Sequence, residues 1–473
     1  MATSRLGMGR ASATGETTSR EGSRTTRTRP RTRVPSGLRT CTATATTGRG
    51  RSARQAGRRH GNNNLMRCGA SSTPEVHQRD SSPSRDAGFD AVGFGQAMVD
   101  YAGYVTDEFL NEVLNDLSGE GGERYKKGDR VVCTPEQLGR VLNKIDSQNF
   151  KVTTGGSLSN TLVALSRLGG AEGKKGRGLR VGMAGLVGED PIGSFYRAKM
   201  DRAGVEYLSQ PTHKTTGTVV VLTTPDAQRT MLSHFPDDPE PEDGASPSSS
   251  SSVLTPRVVS SIVNSRVLLL EGYLLECGQR VTHSVMEAMR VARRAGTLVC
   301  LTLSDASVVN RHGDLLWRAL REDGGHVDIV FANAAEASAL TGESDPKRAA
   351  LAIAQHTKVV SVVTDGYRGS HLAGMGASQL VPPHWMPKGP LDTCGAGDAY
   401  AAGALYGLLC GASIRGMGYT GARVSSTVIS QTGARLKEED ASKLTEVLPM
   451  MMFESTRLVV PEGHRLRTKS SSS

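Results

Sequence analysis

The stretch LDTCGAGDAYAAG, residues 391–403, decides the fold. Two aspartates, Asp392 and Asp398, bracket the small-residue turn Gly395-Ala396-Gly397, and an uncharged, alanine-rich segment with helical character follows. A glycine-rich turn that opens a helix collects free backbone N–H groups and the positive end of the helix dipole, a natural seat for an anion such as phosphate. A carboxylate beside that anion is unfavourable unless it has chemistry to do. From these residues alone Asp398 could equally be a helix cap.

Composition narrows the choices. The chain has 473 residues and a net charge of +10, but the first seventy residues hold fifteen Arg against Glu16 and Glu21, which leaves −3 for the rest. The body is mildly acidic, and nucleic acid is not expected as a partner. Residues 1–85 are rich in Arg, Ser and Thr with almost no large apolar side chains, so they should be disordered alone; the pattern is that of an organellar transit peptide, for a plastid or mitochondrion. Without such targeting the protein would be cytoplasmic. Seven scattered cysteines with no C-x-x-C pair argue against disulfides or zinc. The longest uncharged apolar run, residues 399–414, is too short to span a bilayer, so no membrane is expected.

The folded domain is expected over residues 86–460, with a disordered tail at 461–473 and exposed insertions at 118–129 and 236–252. From residue 265 onward, fully apolar strand-like runs (VLLLEG, LVCLT, VDIVF, VVSVVT) alternate with amphipathic helices. That rhythm predicts an α/β fold: a doubly wound, mostly parallel sheet flanked by helices. The segment TGTVVVLTTPDAQRTMLSHF, residues 216–235, reads as a hairpin turning at Pro225-Asp226. Ligands in such sheets bind beyond the carboxyl ends of the strands, and Asp100, Asn333 and Asp365-Gly366 fall just after strand-like runs.

Several familiar sites are missing. GFGQAM (93–98) has Met98 where a dinucleotide fingerprint needs its third glycine, which leaves an oxidoreductase reading weak. No Walker-type loop, H-E-x-x-H or G-x-S-x-G occurs. What remains is a set of polar glycine turns: GGSLSNTLVALSRLGG (155–170), GEDPIG (188–193), NAAE (333–336), TDGYRGS (364–370) and the opening stretch. Together, and in this order, they resemble the signatures of the PfkB/ribokinase family of ATP-dependent carbohydrate and nucleoside kinases, over about residues 89–450. Tyr400 stands where the family usually has phenylalanine.

The resemblance implies a small β lid over the site, from segments near 100–115, 150–156 and 205–235, and a mechanism. Asp398 would be the general base for the attacking hydroxyl, and the N–H groups of Gly395, Ala396 and Gly397 would surround the transferring phosphoryl. It further implies that Asp100, Gly155, Gly156 and Asn160 hold the acceptor's hydroxyls. Asn333, Thr364, Gly366, Gly369, Thr393 and Gly433 would lie along ATP. Glu336 would hold Mg²⁺ through water, and Asp392 a monovalent cation such as K⁺. Plainer roles exist: Asn333 and Glu336 also fit a capping box, Gly155-Gly156-Ser157 a turn with a cap, and Asp392 an ordinary turn aspartate. The expected acceptor is a small molecule bearing a primary hydroxyl, with adenosine first, then other nucleosides, fructose or ribose. A kinase-like regulatory protein is the alternative of another class, and a monomer and a homodimer are equally compatible with these residues.

Overall fold

Fully apolar strands can only be buried on both faces, and the structure places them there. The computed structural model describes residues 88–453 except 119–124, 146–149, 171–177, 213–214, 227, 236–252 and 375. The basic leader, the second insertion and the tail lie outside these residues. In chain order the strands are β1 (Ala91–Phe94), β2 (Met98–Tyr104), β3 (Arg130–Val132), β4 (Phe150–Gly155), β5 (Val181–Ala184), β6 (Val205–Tyr207) and β7 (Gly217–Thr223). They continue as β8 (Arg229–His234), β9 (Val267–Glu271), β10 (Leu298–Thr302), β11 (Ile329–Asn333), β12 (Val360–Thr364), β13 (Ser370–Gly374) and β14 (Ala377–Val381).

Nine strands form the large sheet, in the order β14-β13-β12-β11-β10-β9-β1-β5-β6. Pairing is parallel from β12 through β6, and the two edge strands β13 and β14 run antiparallel. The two-residue period of a strand divides the core: Val267 and Leu269 point into one hydrophobic cluster, Leu268 and Leu270 into the other. One cluster is covered by α3 (Ser157–Gly169) and the Ala396–Leu409 and Ile414–Ile429 helices. The opposite cluster is covered by the Gln279–Ala295, Ala306–Arg321 and Pro346–Ala354 helices.

The second sheet is smaller, ordered β3-β8-β7-β2-β4. It is the expected lid, with two corrections. Residues 205–207 do not belong to it; they form β6, an edge strand beside β5 in the large sheet. Conversely, part of the expected exposed insertion does belong. Residues 125–129 lead into β3, and Lys127 Nζ bridges Asp107 and Asp226 at 2.8 and 2.7 Å, fastening the hairpin turn to α1 (Asp107–Ser118). The expected hairpin forms as β7 and β8. Two helices, α1 and α2 (Pro135–Lys144), supply apolar side chains that bury Val131, Val220 and Leu232 on one face of this sheet.

The order in which strands are added reverses between the parallel neighbours β1 and β9, with β5 and β6 on one side and β10 onward on the other, the arrangement that opens a crevice at the strands' carboxyl ends. Glu271, the last residue of β9 and only 3% exposed, ties that crevice together. Its carboxylate accepts the N–H of Gln96, after β1, at 3.1 Å and the N–H of Leu158, in the first turn of α3, at 3.0 Å. Burial pushes its carboxyl up to about 7, against the pull of those two donors. Glu271→Ala leaves both donors without an acceptor, at about 1–3 kcal/mol each. Urea unfolding is expected to show a loss of at least about 1 kcal/mol, because removing the buried charge offsets only part of that cost; an unchanged midpoint would contradict this role.

Candidate active site

The Ala396–Leu409 helix begins at Gly395, whose φ of 74° is left-handed and whose Cα lies so close to Ala434 that a Cβ would collide with it. Only glycine serves there. The Ala396 N–H turns back to the Thr393 carbonyl at 3.2 Å, so it is not one of the free anion-binding groups expected from the sequence. Gly397 and Asp398 stand in the first helical turn, whose N–H groups have no carbonyl partner within the helix. Nothing lies within 4 Å of where a Gly397 Cβ would be, so that approach is open to a ligand.

Asp398 does not cap the helix. Its Oδ1 accepts the Ser157 hydroxyl at 2.6 Å, and its Oδ2 accepts the Asn160 side-chain N–H at 3.0 Å. Both donors come from the start of α3, so the carboxylate is aimed across the crevice. Burial pushes the Asp398 carboxyl above its ordinary value, and the two donors pull it part of the way back. A carboxylate so placed is more basic than a free one, as a general base needs.

Around it lies a second layer. Arg435 donates from Nε to the Asn160 Oδ1 at 3.2 Å. Asp100, on β2, is pushed by burial up to about 6, with the Arg435 charge opposing. A Cβ on Gly155 would fall 2.0 Å from an Asp100 carboxylate oxygen, so Gly155 makes room for that side chain. Gly156, with φ of 91°, precedes α3. Asp100, Gly155, Gly156 and Asn160 are therefore gathered at one place, as the sequence suggested.

Asp392 performs a different task. It accepts the N–H of Cys394 and of Gly433, both at 3.0 Å, and pairs with Arg229 of β8 at 3.3 Å. Burial works against its charge, but these partners outweigh it and hold the carboxyl below its usual value. The charge expected to face a monovalent cation is already met by a guanidinium, so the residues present do not fit a K⁺ ion at this carboxylate. Thr393 is exposed beside this turn.

Asn333 and Glu336 make the capping box. Asn333 Oδ1 accepts the Glu336 N–H at 2.9 Å, and Glu336 Oε2 accepts the Asn333 N–H at 3.0 Å. Yet Glu336 is more than a cap: burial pushes it up to about 7, with the charges of Asp305 and Asp398 adding to the rise. Among the described residues no three acidic, His or Cys side chains cluster as direct ligands. A buried, electrostatically crowded carboxylate without such a cluster fits Mg²⁺ held through water. Thr364 pairs with Asn333 at the adjoining strand ends, and Gly366 and Gly369 shape the following turn. No described contact joins these two glycines to the Asp398 group.

Ser157, Glu271, Arg229 and Arg435 were not singled out in the sequence. Ser157, Arg229 and Glu271 lie inside quoted stretches and Arg435 two residues after Gly433, but nothing local marks the last three as site residues. Among the aromatic side chains, Tyr196 is fully buried in the core and makes an edge-on contact with Tyr207, the ring centroids 6.0 Å apart. Phe235 and Tyr273 stand beside a lid residue, Arg130.

A doubly wound sheet, an anion seat at a helix start, a carboxylate aimed into it and a β lid define a phosphotransferase of the ribokinase-like fold. The chain belongs to the pfkB family carbohydrate kinases, whose profile matches residues 130–441. It is a kinase with an alcohol group as acceptor. A fructokinase of Klebsiella pneumoniae is 27% identical over 297 residues, 61% of this chain and 84% of that protein. A guanosine-inosine kinase of Escherichia coli K12 is 33% identical over 115 residues, 24% of this chain and 26% of that one. The adenosine kinase from Sinorhizobium meliloti superposes with a TM-score of 0.62 at 26% identity, covering 76% of this chain and all of that one.

Ser157 should act through Asp398. Ser157→Ala removes a donor that favours the anion, so the Asp398 pKa rises further. Because the base works deprotonated, activity is lost as pH falls through that pKa. The acid limb of the kcat profile is therefore expected to move to higher pH in the variant; an unmoved limb would contradict the pairing.

Proposed function

We propose that this protein transfers the γ-phosphoryl group of ATP to a primary hydroxyl of a nucleoside. The observation that carries this is the Asp398 carboxylate, held by Ser157 and Asn160 within reach of an open helix start. The acceptor's hydroxyl gives its proton to Asp398 as it attacks. The developing charge on the phosphoryl oxygens is met by the first-turn N–H groups of Gly397 and Asp398. Mg²⁺, brought with the nucleotide and held through water at Glu336 and Asn333, supplies further neutralisation of the phosphates.

The acceptor's remaining hydroxyls suit Asp100 and the neighbouring Asn160, since a carboxylate and an amide satisfy adjacent hydroxyls well. The lid keeps water from competing for the phosphoryl group, and Arg229 fastens it to the anion seat through Asp392. Likeness to an adenosine kinase along the whole of that chain supports a nucleoside. Likeness to a fructokinase keeps a sugar as the second reading.

The test is ADP release by the full-length protein with ATP, Mg²⁺ and, in separate reactions, adenosine, inosine, guanosine, ribose and fructose. Phosphorus NMR would identify the new phosphomonoester. Release that depends on a nucleoside is expected. Release with fructose and none with any nucleoside would establish the second reading, and release independent of every acceptor would contradict both.

A further inference from the structure

The lid sheet has two unlike faces. Register places Lys151, Ala102, Val221, Met231 and Arg130 in one row across one face, beside the row that contains Asp100 and the row that ends at Arg229. Asp100 and Arg229 are the residues by which this face meets the active site, so Arg130 is on the site side. The opposite face packs on α1 and α2.

Arg130 is half-buried, and its guanidinium lies 4.4 Å over the ring of Tyr273 and 5.6 Å from the ring of Phe235. Tyr273 follows Glu271 at the mouth of the crevice, so the guanidinium spans from lid to body at the acceptor end. Among the described residues it makes neither an ion pair nor a hydrogen bond, so its N–H fork is unused. The buried Glu271 carboxylate is near enough to feel its charge, but its N–H donors meet no acceptor, and half-buried donors left unmet are costly unless a ligand completes them. Contact with the two rings holds the guanidinium between lid and body, and a guanidinium fork is matched by two adjacent acceptor atoms.

We infer that Arg130 selects the acceptor of the proposed nucleoside kinase by reading the O6/N7 edge of a 6-oxopurine, so that inosine and guanosine are preferred to adenosine. This rests on the nucleoside reading above. Hypoxanthine and guanine present two acceptors on that edge, which a guanidinium meets bidentately; adenine presents a donor N6–H₂ beside N7 and opposes it. The rest of the setting suits a flat base better than a carboxylate. Ala102, Val221 and Met231, each half-buried, give the lid an apolar surface beside it. With Asp100 at the ribose and Arg130 at the base, the two ends of a nucleoside are each met by a complementary charge.

The experiment measures kcat/KM and calorimetric binding of inosine, guanosine and adenosine, with a 2-deoxy sugar acid as a further acceptor. The full-length protein is compared with Arg130→Met and Arg130→Lys. The native protein is expected to favour inosine and guanosine over adenosine by roughly ten-fold or more, the scale of one bidentate base contact. Arg130→Met should erase that preference and leave or improve adenosine. Arg130→Lys should not restore it, because an ammonium has no fork. Melting temperatures within a few degrees of the native protein show that both variants fold.

Adenosine favoured by the native protein, or equal losses on all three nucleosides in Arg130→Met, would overturn the inference and leave the kinase standing. Turnover of the sugar acid with no nucleoside bound would overturn the inference and the nucleoside reading, but not phosphoryl transfer. No acceptor-dependent turnover at all would fail the proposed function, while the inosine and adenosine affinities would still decide the role of Arg130.

Discussion

The hydrogen bonds from Ser157 and Asn160 to Asp398 are the contact on which the rest of this structure turns. They join the starts of two helices that are far apart in sequence and packed on the same side of the large sheet. A carboxylate on an isolated helix start would fold back and cap it. Here both oxygens are engaged from across the crevice, so the side chain points where a bound phosphate and hydroxyl would meet. Glu271 holds one of the two helix starts in place from below, and Arg435 holds Asn160 from the side.

Charge is arranged with similar care. Asp100, Asp398, Glu271 and Glu336 all have carboxyls pushed upward by burial. Such crowding costs stability, and it is concentrated where cationic or hydrogen-bonding ligands would relieve it. The lid adds positive charge in return: Arg229 reaches Asp392, and Arg130 lies over Tyr273. A five-stranded sheet with one face buried on its own helices can present its other face to a ligand without exposing a second core.

Much of this was legible in the sequence because it depends on local chemistry. LDTCGAGDAYAAG announces a glycine turn, a carboxylate and a buried helix, and each is realised; the apolar runs after residue 265 likewise announce the parallel strands. The turn's donors were less legible, since only the folded backbone shows that the Ala396 N–H is spent on Thr393. For Asp392 the family resemblance implied a monovalent cation, and nothing in its own neighbourhood reveals the pairing with Arg229, 163 residues earlier. The lid's edge strand β3 escaped for a related reason. The charged, glycine-rich residues before β3 resemble a loop, and only the long-range bridges of Lys127 draw them into the lid.

The most direct measurement is steady-state kcat and calorimetric ATP binding for the native protein and for Asp398→Asn, with whichever acceptor supports turnover. Asparagine keeps the size of the side chain but cannot take the hydroxyl's proton. If Asp398 is the general base, kcat falls by about 10²–10⁴-fold, while the fold is retained and ATP binds as well or more tightly, since a negative charge near the γ-phosphate is gone. A variant whose kcat stays within about three-fold of the native value would contradict the assignment and leave the anion seat without its base.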